Sequence, residues 1–85
     1  MPAKTFIIPK KTNKSISKLS LRIQNKIDQA FNKIKQNPIL GAKLQGELAN
    51  YYKFGVGDYR IIYEFDKELS TVEIVKVEHR QGVYR

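Results

Sequence analysis

Residues 51–65, YYKFGVGDYRIIYEF, constrain this chain more than any other stretch, because their pattern fits a β-hairpin and little else. Gly57-Asp58 separates two runs rich in aromatic and β-branched residues, and glycine at the first turn position suits a two-residue turn of type II′. With those residues as the turn, Val56 faces Tyr59, Gly55 faces Arg60, Phe54 faces Ile61, Lys53 faces Ile62 and Tyr52 faces Tyr63. Opposed residues share a face, and faces alternate along a strand. One face then carries Tyr52, Phe54, Val56, Tyr59, Ile61, Tyr63 and Phe65, the makings of a core. The other carries Tyr51, Lys53, Gly55, Arg60, Ile62 and Glu64, so two cations flank a residue with no side chain.

An aromatic sheet face must be covered, and the sequence ahead of the hairpin supplies the cover. Residues 4–9, KTFIIP, form a short β-prone run closed by Pro9, which cannot donate to a ladder and marks a strand end or an edge. A short helix through Ile16 and Leu19 follows, with Thr12 or Asn13 placed to cap it. The next helix is clearer: Ser20 caps it, and Ile23, Ile27, Ala30, Phe31 and Ile34 recur at the spacing of one helical face. Asn37-Pro38 ends it, since the residue before proline avoids the helical region. Residues 39–48 read as a connector with two glycines. Beyond the hairpin, 66–70 is a polar turn, 71–77 a third long strand, and Gly82 breaks that strand before an apolar-aromatic end.

The expected fold is α+β, in the order β-α-α-β-β-β, with helices packed on one face of a mostly antiparallel sheet. A chain of 85 residues is expected to be one domain, spanning 1–85. It has no cysteine, so neither disulfides nor thiolate zinc sites are available to it. No apolar run approaches a membrane span of about 18 residues, no secretory h-region is evident, and a cytoplasmic protein is the default expectation. Sixteen Lys and Arg against eight Asp and Glu give a net charge of +8, which favours a polyanionic partner, either nucleic acid or an acidic protein.

The familiar catalytic signatures are missing: there is no HExxH, GxxxxGK[ST] or GxSxG, and His79 is the only histidine. Carboxylates are few and scattered, so no paired-carboxylate site or metal cage is expected, and no cofactor. What remains on the polar face is Lys53, Arg60 and Arg80, with tyrosines nearby. Regular alternation would put Arg80 on a face with Lys76 and Ile74, and His79 on the other with Val77 and Val75. Fixed cations on a sheet face suit phosphate binding and the stabilisation of charge on a phosphorane-like transition state. Each position also has a plainer reading. Lys53 and Arg60 can be solvated strand residues, His79 a hydrogen-bonded residue at a strand end, and the basic side of the second helix simply its wet side.

Three pieces taken together resemble the RelE/ParE superfamily of type II toxins: KLQG before the hairpin, VGDYRIIYEF within it, and the closing VEHRQGVY. Behind a strand and a helical pair, they cover nearly the whole chain. The resemblance implies a ribosome-dependent endoribonuclease that cuts messenger RNA and is held inactive by a cognate antitoxin in a hetero-oligomer. It implies that the messenger's own 2′-OH attacks the adjacent phosphate, leaving a 2′,3′-cyclic phosphate and a 5′-OH, without a metal. Carried over by motif, Lys53 assists proton transfer or stabilises charge, and Arg60 contacts the scissile phosphate. Arg80 is a second phosphate-binding arginine, and Tyr84 stacks on a base or aids proton transfer. Lys76 joins Lys53, Arg60 and Arg80 as an RNA-binding cation, and His79 is a possible accessory. Many relatives carry arginine where this chain has Gly55, so one cation of the usual set is absent. That departure keeps open a ParE-like inhibitor of DNA gyrase, or an idle relative that only binds its antitoxin.

Overall fold

The hairpin turn forms as its chemistry dictates. In a computed structural model describing residues 2–44, 46 and 50–80, Gly57 has φ of +57° while Asp58 stays out of the positive region, the type II′ pattern. The flanking strands, β3 (Tyr51–Val56) and β4 (Tyr59–Asp66), pair in the predicted register from Val56↔Tyr59 out to Tyr51↔Glu64. Three further strands join them: β1 (Thr5–Ile7), β2 (Ala42–Lys43) and β5 (Thr71–His79). The sheet runs β1-β5-β4-β3-β2, antiparallel except where β1 lies parallel to β5.

Two helices, α1 (Lys10–Ser17) and α2 (Leu21–Gln36), separate β1 from β2. The Ser20 side chain caps α2 by accepting from the Ile23 amide, as expected. Ile27 and Ile34 of α2 are fully buried, together with Ile61 and Tyr63 of β4 and Val72 and Ile74 of β5. Tyr52 stacks on Tyr63 at 5.3 Å between ring centroids. Burial of each large aliphatic side chain contributes about 1.5–3 kcal/mol, so this helix-on-sheet contact holds the fold together. The architecture is α+β with its helices on one face of the sheet.

Three local expectations need correction. First, Thr12 and Asn13 do not cap α1; the helix starts at Lys10 behind Pro9, and Thr12 lies buried within it. Proline is well suited there because its fixed φ and missing N–H cost nothing at a helix start. Leu19, expected inside that helix, lies beyond its end. Second, residues 39–48 are more than a connector, since Ala42 and Lys43 pair with Lys53 and Tyr52 as an edge strand. Gly41 makes this approach possible: a Cβ there would sit 2.7 Å from the Lys53 carbonyl oxygen and 2.9 Å from the Tyr63 hydroxyl. That hydroxyl accepts from the Gly41 amide at 3.0 Å and donates to the Pro38 carbonyl at 2.8 Å.

Third, β5 does not alternate regularly. Ile62 pairs with Lys76 but Tyr63 pairs with Ile74, leaving Val75 as a β-bulge. Ile74 therefore joins Val77 and His79 on the core side, while Lys76 and Glu78 lie on the polar face. The Thr12 hydroxyl donates to the Val75 carbonyl at 3.2 Å. No helix among the described residues is long and apolar enough to cross a membrane.

Candidate active site

Three strands bring the site together. The hairpin register sets Gly55 against Arg60, with Lys53 two residues back on the same face. Arg80 follows β5 and is anchored by its backbone, its amide donating to the Asp58 carbonyl of the hairpin turn at 2.8 Å. One turn thus fixes both the Gly55–Arg60 pair and the start of the C-terminal segment. Between them lies a hollow of about 330 Å³, lined by Ala42, Lys53, Gly55, Arg60 and Arg80. Open space above Gly55 helps to shape it, since a Cβ added there would meet nothing within 4 Å.

Arg60 is largely covered, with 26% of its side chain exposed, and an acid from β5 holds it. Glu78 stands directly opposite in the β4–β5 register. Its Oε2 accepts from the Arg60 guanidinium at 2.5 Å, and its Oε1 meets Lys76 Nζ at 2.9 Å. These hydrogen bonds, that of Arg60 first, hold the Glu78 carboxyl below the usual carboxylate range. Arg60 Nε is buried and meets no acceptor among the described residues.

The predicted residues separate into groups. Lys53, Arg60 and Arg80 converge on the hollow. Lys76 does not line it; it is tied to Glu78 and borders a separate groove beside Lys11, Thr12 and Ser15 of α1. His79 lies on the opposite face, its ring edge-on to Tyr59 at 5.0 Å. Tyr84 and the strand break at Gly82 fall outside the described residues. Sequence reasoning missed Glu78 and Ala42. Glu78 carried a signal, since it falls between Lys76 and Arg80 at strand period in VEHR. Ala42 carried none.

Hard cationic donors around a small polar hollow can bind a phosphodiester and stabilise the extra negative charge of its transition state. Known proteins share the fold. The family model of ParE toxins of type II toxin–antitoxin systems matches residues 8–84. This chain belongs to the RelE/ParE superfamily of type II toxins. It is 37% identical over 60 residues to Toxin RelG of Mycobacterium tuberculosis, covering 69% of each chain. Among solved structures, the toxin–antitoxin complex RelBE2 of M. tuberculosis holds a chain that superposes with a TM-score of 0.79 at 32% identity. The match covers 94% of this toxin and 100% of that chain. The free E. coli toxin RelE, in a mutant form, gives a TM-score of 0.80 at 16% identity over 99% of this chain and 90% of that one, a likeness of fold alone.

Proposed function

We propose that this toxin is a ribosome-dependent endoribonuclease that cuts messenger RNA by attack of a 2′-OH on the adjacent phosphate, yielding a 2′,3′-cyclic phosphate and a 5′-OH. The convergence of Lys53, Arg60 and Arg80 on one hollow carries the reading. In this scheme Arg60 and Arg80 bind the scissile phosphate through charge-assisted hydrogen bonds, and Lys53 stabilises developing charge or moves a proton. Tyr84, close behind Arg80 in sequence, stacks on a base or aids proton transfer.

Charge distribution supports a large RNA-rich target. Residues 1–43 hold ten of the sixteen Lys and Arg with a single acid, Asp28, whereas 44–85 hold six cations and seven acids. The whole surplus lies ahead of the hairpin, much of it exposed on α1 and α2 as Lys10, Lys11, Lys14, Arg22, Lys26 and Lys33. Such a field steers a polyanion toward the protein from outside the hollow. A cognate antitoxin is the expected protein partner, as in the RelBE2 complex and the archaeal RelE–RelB complex of Pyrococcus horikoshii. An acidic, partly disordered segment folding over the basic surface would neutralise the toxin.

The test is cleavage of ribosome-bound messenger by the purified toxin, with product ends mapped. A 2′-deoxy substitution at the cut position should abolish cleavage, and the upstream product should end in a cyclic phosphate. The matched ParE family model and the glycine at position 55 favour a second reading, inhibition of DNA gyrase. Pulse labelling after induction separates the two: protein synthesis falls first for a ribonuclease, DNA synthesis first for a gyrase inhibitor.

A further inference from the structure

Among the described residues Glu78 is paired with an arginine of the hollow, and its geometry limits what it can do. It does not occupy the place of a phosphate, because it lies outside the described residues that line the hollow. It is also badly placed as a general base, since one oxygen is held by Arg60 and the other by Lys76. What it touches is the guanidinium of Arg60, from the strand behind, at a directly opposed position of an eight-pair ladder. A guanidinium has five donors in a rigid plane, so the hold of Glu78 on the one nitrogen Nη2 restricts where the others can point.

We propose that Glu78 is a positioning residue that braces Arg60 so that its remaining donors meet the scissile phosphate, while Lys76 supplies the counter-charge that keeps the trio positive. The inference rests on the ribonuclease reading. Two cations and one carboxylate leave one net positive charge, so the brace does not silence the arginine it holds. Lys76, on this view, acts through Glu78 and not on RNA. Misplacing a reactive group by about 1 Å can cost about 10²-fold in rate, so loss of a supporting carboxylate is expected to matter by about 10- to 100-fold.

The experiment compares the full-length parent with Glu78→Ala, Glu78→Gln, Arg60→Ala, the Arg60→Ala/Glu78→Ala double variant and Glu73→Ala, on programmed ribosomes. Glu78→Ala should lower kcat by about 10- to 100-fold with KM unchanged or lower. Glu78→Gln retains an oxygen acceptor for the guanidinium and should recover part of the loss. The double variant should be no slower than Arg60→Ala alone, because the two act as one unit. Glu73→Ala, which removes the same charge farther along β5, should cut as the parent does. If Glu78→Ala cuts as fast as the parent or faster, the carboxylate competes with phosphate and the brace is refuted. Losses that multiply in the double variant, or that track melting temperature, also refute it. Side-chain NMR of the Arg60 guanidinium, without RNA, separates the two proposals. Slow rotation in the parent that becomes fast in Glu78→Ala supports the brace even if the parent cuts nothing, an outcome that would sink only the ribonuclease reading. Fast rotation in the parent overturns the brace directly.

Discussion

Gly55 offers the most informative perturbation, because it lines the hollow opposite Arg60 and has open space for a side chain. Gly55→Ala should cost nothing sterically, since the added Cβ meets no atom within 4 Å. Removing a strand glycine stabilises by about 0.5–1 kcal/mol, and 1 kcal/mol moves Tm by about 4–8 °C in a domain of this size, so Tm should rise by about 2–8 °C. Gly55→Arg makes the same backbone gain but puts a second guanidinium opposite Arg60. Like charges on opposed strand positions cost about 0.2–1 kcal/mol, which leaves Tm near that of the parent. The new cation should instead strengthen RNA binding. A charge-assisted hydrogen bond contributes about 1.5–3 kcal/mol, less about 0.5–1.5 kcal/mol for ordering the side chain. The remainder, about 1 kcal/mol, is about fivefold in affinity. One added phosphate contact on a single strand should also steepen the log–log salt slope by about 0.7. Fluorescence anisotropy with a non-cleavable 2′-O-methyl oligoribonucleotide, at several salt concentrations, measures both. If Gly55→Ala and Gly55→Arg both bind tenfold more weakly while remaining stable, the space above Gly55 is filled by the ligand and is not a vacant cation slot. If neither affinity nor slope changes, no phosphate passes near Gly55 and the hollow is not the RNA site.

Arg80→Lys should keep the charge but lose the forked geometry, lowering cleavage by about 10²–10³-fold with Tm unchanged; parent-like cutting would remove Arg80 from the site. Tyr84→Ala should slow cleavage of ribosome-bound messenger without moving Tm, and a loss in step with Tm would make Tyr84 structural. Tyr63→Phe should strip the Gly41 amide and the Pro38 carbonyl of their shared partner, costing about 1–3 kcal/mol, or about 4–24 °C in a thermal melt. The Glu78 carboxyl, held low by Arg60 and then Lys76, takes up its proton in the unfolded chain before it does so in the folded one. Its stabilisation is therefore complete above the ordinary carboxylate pKa and fades as pH falls through the folded value, so Tm should fall more steeply below about pH 5 in the parent than in Glu78→Gln. Parallel Tm–pH curves would show that the pair adds no stability.

How much of this was legible depended on how local the deciding chemistry was. The Gly57-Asp58 turn dictated the β3–β4 register, and with it the placing of Lys53, Gly55 and Arg60, because a two-residue turn admits only one pairing. Helix α2 was legible for a similar reason, with a cap, a period and a proline all within its own residues. Strand β2 was not, since two residues have no period to detect and pair only because Gly41 lets the chain approach β3. The Arg60–Glu78 contact lay between these cases. Its residues are at strand period, but their register depends on the turn at 67–70 and on a bulge that no single residue announces.

That bulge is what allows one strand to serve both the core and the site. Val72 and Ile74 are fully buried against the helices, while Lys76 and Glu78 belong to the polar face beside Arg60. All four are even-numbered, and on a regular strand they would share a face. A regular β5 would have to expose two core residues or bury a lysine and a glutamate. Val75 resolves the conflict by adding one residue against β4, so parity reverses between Ile74 and Lys76. The bulge is not left to disrupt the ladder unaided, since the Thr12 hydroxyl donates to the Val75 carbonyl. A buried hydroxyl in the first helix thus supports the point at which β5 changes faces. Helix α1 meets β5 at the bulge, between the core residue Ile74 and the site residue Glu78, although no residue of that helix lines the hollow.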